Sequence, residues 1–245
     1  MSEYQYYEFQ AIDRPLTPEA QQDVARLSSR TEPHPRRAAF TYSFGGDLPR
    51  RAEDVLVDYY DAMLYLANWG SRQLMFRLPE RLVDAHAMQQ YNVVMRDYPL
   101  VAVRVYTEGD YAVLDIRLDQ EGGLGWIQGE GWLDSLVGLR DEILRQDYRL
   151  LYLAWLTGLT LVDDVDEEAL EPPVPPGLQT LSPAVESFVE LFGLNDDLIQ
   201  VAAEPSDPLN EGNTDVDYGR AIAELPSEEG EKLTKDFILK SLSDC

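Results

Sequence analysis

The first 231 residues contain no lysine, although they hold 17 arginines. P-loop nucleotide binding and Schiff-base catalysis both use a lysine side chain, so the sequence argues against both in this part of the chain. The single cysteine, Cys245, cannot form an internal disulfide, which agrees with a reducing cytoplasm. With only two histidines, His34 and His86, the chain has few side chains suited to nucleophilic attack, proton transfer or transition-metal binding.

Long apolar runs and basic leader segments are also absent from the sequence. The longest apolar run, residues 150–162, is shorter than the roughly 20 residues needed to cross a bilayer. The opening residues Met-Ser-Glu-Tyr-Gln contain neither a basic stretch nor an apolar segment, so we expect no secretion signal. These features together predict a cytoplasmic protein.

Charge is abundant and unevenly distributed. The formal net charge is −25, and the 7 basic residues of 121–245 are set against 27 acidic ones. A strongly negative surface repels nucleic-acid phosphates and anionic lipid head groups, so we predict no direct binding to nucleic acid or membrane. The partner that this charge favours is another protein with a basic surface.

Hydrophobic patterning predicts an α+β fold, with a mixed N-terminal sheet packed with helices and a helical C-terminal region. The clearest helical periodicity covers residues 52–68, and alternation predicts a hairpin formed by 100–107 and 111–119. Further strands are predicted at 4–12, 39–44 and 72–78. Further helices are predicted at 17–29, 80–90, 132–161 with a break near Gly138, 183–192 and 195–203.

Composition divides the chain into five predicted segments. An acidic and proline-rich stretch marks one linker, and a polar stretch with two prolines marks a second, disordered one. The segments are an α+β core domain at 1–162, a linker at 163–177, a small helical segment at 178–203, a disordered linker at 204–217 and a C-terminal helix at 218–245.

None of the familiar catalytic or ligand-binding motifs is present. The glycine-rich segment 122–131 has its third glycine one position late for a dinucleotide fingerprint, and we interpret it as a surface loop. The acidic run 163–168 lacks the spacing of a calcium loop. We therefore predict no catalytic residue, no cofactor and no metal ligand. If two carboxylates did act as an acid–base pair, Glu8 and Asp13 would be our choice.

Arg14, Arg72 and Arg77 lie beside predicted hydrophobic strands, and Trp69 lies close to the last two. Arginine pairs with carboxylates in a bidentate manner and stacks on aromatic rings. One interpretation is an internal brace, in which these arginines bind acids such as Asp13 or Asp61. The other is a protein-docking patch formed by Arg14, Trp69, Arg72 and Arg77, since arginine and tryptophan are enriched in binding hot spots.

Two segments carry a resemblance to known sequences. Residues 6–16 (YYEFQAIDRPL) and 65–79 (YLANWGSRQLMFRLP) are similar to a family of uncharacterised bacterial proteins, and a weaker similarity extends through residues 150–156 to about residue 203. The resemblance implies a bacterial origin. It implies no activity and no catalytic residue.

The sequence therefore favours a non-catalytic acidic protein that binds other proteins, as an adaptor or regulatory subunit of a bacterial multi-protein system. The sequence is also compatible with three alternatives. These are an inhibitor that masks a basic nucleic-acid-binding protein such as a transcription factor, a regulatory protein processed by a protease, and a carboxylate-dependent enzyme.

Overall fold

The computed structural model describes residues 3–28, 31, 33–95, 100–119, 128–160 and 170–209. All of them belong to one compact unit, Met1–Leu209. The predicted C-terminal helix at 218–245 and the acidic run 163–168 lie outside the described residues. Within this unit a seven-stranded sheet is covered by helices on both faces, which confirms the predicted α+β fold with a helical C-terminal region.

The sheet is antiparallel at every pair of strands, in the order β2-β1-β3-β4-β7-β6-β5. Its predicted hairpin, β6 and β7, is confirmed, and Gly109 adopts a positive φ of 60° in the two-residue turn. The strands are β1 Tyr4–Gln10, β2 Arg37–Ser43, β3 Ala62–Ala67, β4 Ser71–Pro79, β5 Val93–Met95, β6 Leu100–Glu108 and β7 Tyr111–Asp119.

The helices begin largely where capping residues predict. The side chains of Thr17, Ser182 and Asn195 accept hydrogen bonds from backbone N–H groups in the first turns of α1, α7 and α8. The predicted helix at 132–161 is divided at Gly138, as expected, and again near Gln146, whose φ is 64°. The helices are α1 Pro18–Ala25, α2 Ala52–Tyr59, α3 Ala85–Gln89, α4 Trp132–Leu136, α5 Gly138–Leu144, α6 Arg149–Thr160, α7 Pro183–Phe192 and α8 Asp196–Ala203. A 3-10 turn, Glu80–Leu82, precedes α3.

The prediction of one helix over 52–68 is wrong in its second half. Helix α2 ends at Tyr59, Tyr60 is extended, and the chain continues as β3 in the middle of the sheet. Because β3 is covered on both faces, nearly all of its residues are apolar and buried. A strand of this kind lacks period-2 alternation and cannot be told from a buried helix by its pattern.

Two hydrophobic cores lie on opposite faces of the sheet. Leu64, Leu74 and Phe76 belong to the larger core, which α3 to α8 cover. Met63 and Met75 belong to the smaller core, which α1 and α2 cover. Successive residues of one strand thus face different helices, as strand geometry requires.

Residues 170–209 pack onto the same compact unit as the sheet, which differs from the predicted division of this region into linkers and a separate helical segment. Leu178 and Phe188 are buried in the larger core, and the Tyr91 hydroxyl donates to the Pro173 carbonyl oxygen over 2.9 Å. The buried Ser206 hydroxyl donates to the carbonyl oxygen of Pro175 over 2.7 Å. Two of the predicted boundaries, 162/163 and 217/218, fall outside the described residues, and the other two, 177/178 and 203/204, lie within the compact unit. None of the described helices is long and apolar enough to cross a membrane.

Gly129, at the end of the glycine-rich segment, is buried against Tyr6. A Cβ atom at Gly129 would lie 2.1 Å from Tyr6 Cδ1, so Gly129→Ala is expected to lower the free energy of unfolding by about 1–3 kcal/mol through overpacking. Gly138→Ala is the control, because its Cβ would meet Ala184 at an ordinary 3.4 Å within a helix. Chemical denaturation of both variants measures the difference, and equal stabilities would contradict the prediction.

Candidate functional site

Arg77 forms an internal brace between β4 and the end of α2. Its guanidinium donates to Asp61 Oδ1 over 2.7 and 3.3 Å and to the Val57 carbonyl oxygen over 2.6 Å. It also lies 4.5 Å from the centre of the Tyr111 ring, in a cation–π contact. Asp61 is one of the two acids that the brace interpretation names as partners of these arginines.

Asp61 connects this brace to the exit from β1. Its side chain is almost completely buried, with 1% of the residue exposed. Oδ2 accepts hydrogen bonds from the backbone N–H groups of Ile12, over 2.7 Å, and Asp13, over 3.0 Å. One carboxylate therefore holds β1, the α2–β3 turn and β4 in place.

Arg140, which lies in α5 and is distant in sequence, also belongs to this network. It binds both oxygens of Asp13, over 2.8 and 2.7 Å, and donates through Nε to the Arg77 carbonyl oxygen over 3.0 Å. Asp13 and Arg140 are 127 positions apart, and no local pattern links them. Sequence reasoning therefore missed Arg140.

Three members of this network, Asp13, Arg77 and Arg140, line a cleft of about 830 Å³ on the surface of the unit. The exposed Arg14 lies at its rim, so the structure brings Arg14 and Arg77 to the same cleft. The charged lining residues balance, with four arginines and four acids: Arg14, Arg77, Arg81, Arg140, Asp13, Asp58, Glu80 and Asp110. The most buried of these arginines, Arg77 and Arg140, form the ion pairs with Asp61 and Asp13 described above. These pairs hold the surrounding strands and helices together.

Arg72 lies near the opposite end of β4 and on its other face, so the structure separates it from Arg77. Only 6% of the residue is exposed, and Nη1 donates to the carbonyl oxygen of Phe192, the last residue of α7, over 3.0 Å. Burial lowers the pKa of the Arg72 guanidinium. The partial negative charge at the end of a helix favours a cation there, so Arg72 anchors α7 from beneath.

Trp69 and Phe44 form an exposed aromatic end of the sheet. Trp69, in the β3–β4 turn, is 43% exposed, and Phe44, directly after β2, is 81% exposed. The Phe44 N–H donates to the Glu3 carbonyl oxygen and the Asn68 N–H donates to the Tyr4 carbonyl oxygen, so the two aromatic positions flank the start of β1. Strands lie about 4.8 Å apart, which places these positions roughly 10 Å from each other.

Phe44 was missed in the sequence because a phenylalanine at the end of an apolar strand is usually a core residue. Its φ of 61° lies in the left-handed region, which a bulky side chain rarely adopts. The two glycines that follow it, Gly45 and Gly46, are the signal that a turn and not a core contact begins there.

The remaining buried carboxylates also have partners. Glu8 is fully buried and binds Tyr6 Oη over 2.7 Å, Gln10 Nε2 over 3.1 Å and Arg37 Nη2 over 2.8 Å. Asp115 is fully buried and binds Gln73 and Arg104. Glu8 and Asp13, the candidate acid–base pair, bind different cations, Arg37 and Arg140. Within the described ranges no three His, Cys, Asp or Glu side chains are arranged to hold a metal ion.

Comparison of the chain with protein-family models, with curated proteins and with solved structures found no match. The resemblance of residues 6–16 and 65–79 to an uncharacterised bacterial family therefore stays a prediction.

Proposed function

We propose that this protein is a non-catalytic adaptor or regulatory subunit of a bacterial multi-protein system, and that it binds its partner through the aromatic end formed by Phe44 and Trp69. The observation that supports this proposal is the exposure of two large aromatic side chains at one end of the sheet. Of the buried ionic groups described above, the carboxylates, Arg77 and Arg140 form internal ion pairs, and Arg72 donates to a backbone carbonyl oxygen. This leaves surface recognition as the chemistry that the unit offers best.

The geometry of Phe44 favours a binding role over a structural one. A non-glycine residue with positive φ costs about 1 kcal/mol or more, and an exposed phenylalanine recovers none of this by packing in the isolated chain. Trp69 is held by the hydrogen bond from Nε1 to Ser71 Oγ, over 3.0 Å, which leaves much of its ring exposed. Preorganised aromatic side chains are typical anchors of protein interfaces.

The partner that the charge favours is a cytoplasmic protein with a basic surface, because a chain of net charge −25 attracts cationic surfaces over long distances. The second candidate function is that of an inhibitor which masks a basic nucleic-acid-binding protein. Residues 170–209, with seven acidic residues and no basic one, favour it. Affinity that falls steeply with salt would indicate the inhibitor, and affinity that depends on the aromatic side chains would indicate the adaptor.

The double variant Phe44→Ser/Trp69→Ser tests the adaptor proposal. We expect that proteins captured by the wild-type chain from a lysate of its native host are recovered in at least about tenfold lower amount by this variant, since loss of central aromatic anchors removes 1.4 kcal/mol or more. Quantitative mass spectrometry of native pull-downs measures the recovery.

Leu82→Ser is the control, because Leu82 is 46% exposed and lines the cleft, away from the aromatic end. Recovery with this control should stay within about twofold of wild type. An unchanged set of captured proteins with the double variant would show that the aromatic end is not the binding surface.

A further inference from the structure

A groove of about 450 Å³ lies on the surface formed by α7 and the turn into α8. Its floor consists of Leu181, Val189 and Leu194, which are partly exposed. Its rim carries three exposed carboxylates, Glu186, Glu190 and Asp196. We call this surface the acidic groove.

The local structure explains why apolar and acidic side chains meet here. Glu186 and Glu190 are one helical turn apart, so both lie on the same side of α7. Helix α7 ends at Gly193, whose φ of 73° turns the chain, and the Leu194 N–H donates to the Val189 carbonyl oxygen over 3.1 Å. This turn brings Leu194 back beside Val189. Arg72, bonded to Phe192 beneath, fixes the end of the helix.

The three rim carboxylates of the acidic groove are not paired with a cation in the described part of the chain, and the nearby buried Arg72 donates instead to the Phe192 carbonyl oxygen. None of Glu186, Glu190 and Asp196 forms a salt bridge there, whereas the buried carboxylates Glu8, Asp61 and Asp115 all do. Residues 170–209 contain no lysine, arginine or histidine. Like charges one turn apart on a helix are destabilising by a few tenths of a kcal/mol, a cost that a cationic ligand would remove.

We propose that the acidic groove binds a basic amphipathic helix of a partner protein. The apolar face of such a helix would cover Leu181, Val189 and Leu194, and its lysine or arginine side chains would meet the three carboxylates of the rim. This is the helix-in-groove mode of recognition, with the charge pattern selecting the partner. An acidic helix or a nucleic acid is excluded by like-charge repulsion.

This inference goes beyond the proposed function, because it concerns a surface built from helices and not the aromatic end of the sheet. A chain with both surfaces has two places at which to hold partners, which is what an adaptor needs. The two proposals rest on different residues, so each can fail without the other.

The test uses a fluorescent, arginine-rich amphipathic peptide of about 16 residues, with leucines spaced for one helical face, titrated with the full chain. Fluorescence anisotropy measures Kd. We expect Glu186→Gln/Glu190→Gln to raise Kd by about tenfold and to flatten its dependence on salt, since two ion pairs are lost.

Two controls make the outcome decisive. Glu19→Gln/Asp23→Asn removes two acids at the same spacing on α1, on the other face of the sheet, and should leave Kd within about twofold of wild type. A peptide of the same composition in scrambled order should bind at least about tenfold more weakly. Equal weakening by the two double variants, equal binding of the scrambled peptide, or no binding at all would overturn the proposal. The Phe44→Ser/Trp69→Ser chain should bind this peptide as wild type does.

Discussion

Replacement of Asp61 by alanine is expected to lower the free energy of unfolding by about 3–5 kcal/mol, as is typical when one partner of a buried ion pair is removed. Arg77 would lose its carboxylate while it remains largely buried. The backbone N–H groups of Ile12 and Asp13 would lose their acceptor as well. The exit from β1, the α2–β3 turn and β4 would then no longer be held together. Chemical denaturation of the purified chain measures the loss.

The surface pair of Arg50 and Asp58 provides the control for this experiment. Asp58→Ala should cost less than about 1 kcal/mol, because Asp58 is solvent-exposed and Arg50 is partly exposed. A double-mutant cycle with Arg77→Met separates the ion pair from the backbone hydrogen bonds: Asp61→Ala should remain costly in the Arg77→Met background. If Asp61→Ala and Asp58→Ala proved equally mild, Asp61 would not be the connection that the structure indicates.

Raising the pH above about 10 is expected to unfold the chain, because burial raises the pKa of many of its tyrosines. The pKa rises to about 12 for Tyr91 and Tyr106. It is also raised, with burial as the largest cause, for Tyr6, Tyr7, Tyr60, Tyr65 and Tyr152.

The direction of this pH effect follows from the thermodynamic linkage between proton binding and folding. A tyrosine whose pKa is higher in the folded state than in the unfolded state binds its proton more tightly when folded. Its contribution to stability is complete below the unfolded pKa of about 10 and is lost as the pH rises towards the folded pKa. At about 1.4 kcal/mol per pKa unit, the raised pKa of Tyr91 alone corresponds to a loss of roughly 2–3 kcal/mol in the free energy of unfolding as the pH rises from the unfolded to the folded pKa.

The absence of lysine from the first 231 residues makes this transition easy to interpret, because arginine keeps its charge throughout this pH range. Tyrosinate absorbance and circular dichroism, followed together, should change in one cooperative step. Tyr106→Phe should move the midpoint to higher pH, because Tyr106 ionises more readily in the unfolded chain and its ionisation therefore favours unfolding. Gradual ionisation of the tyrosines near pH 10 with the fold intact would contradict the expectation.

Much of the fold could be predicted wherever local signals were sufficient. Thr17, Ser182 and Asn195 marked helix starts correctly because a cap depends on a few neighbouring residues. The β6–β7 hairpin was also predicted, because Gly109 and the alternating strands around it form a local pattern. The segment 52–68 failed because burial on both faces of β3 removes the alternation that identifies a strand.

The candidate sites were predicted less well, for a related reason. The four docking candidates, Arg14, Trp69, Arg72 and Arg77, do not form one patch, since Arg72 and Arg77 lie at opposite ends and on opposite faces of β4. Phe44 and the acidic groove became visible only when exposure was known.

The sequence by itself determined the available chemistry: an acidic chain with arginine as the cation of its folded unit, well-defined caps and turns, and few catalytic side chains. Only the tertiary structure decided which arginine pairs with which carboxylate, which apolar segment becomes a central strand, and which aromatic side chains stay exposed. Caps and turns depend on residues within a few positions of each other, whereas pairs such as Asp13 with Arg140 join residues that meet only when the whole unit folds.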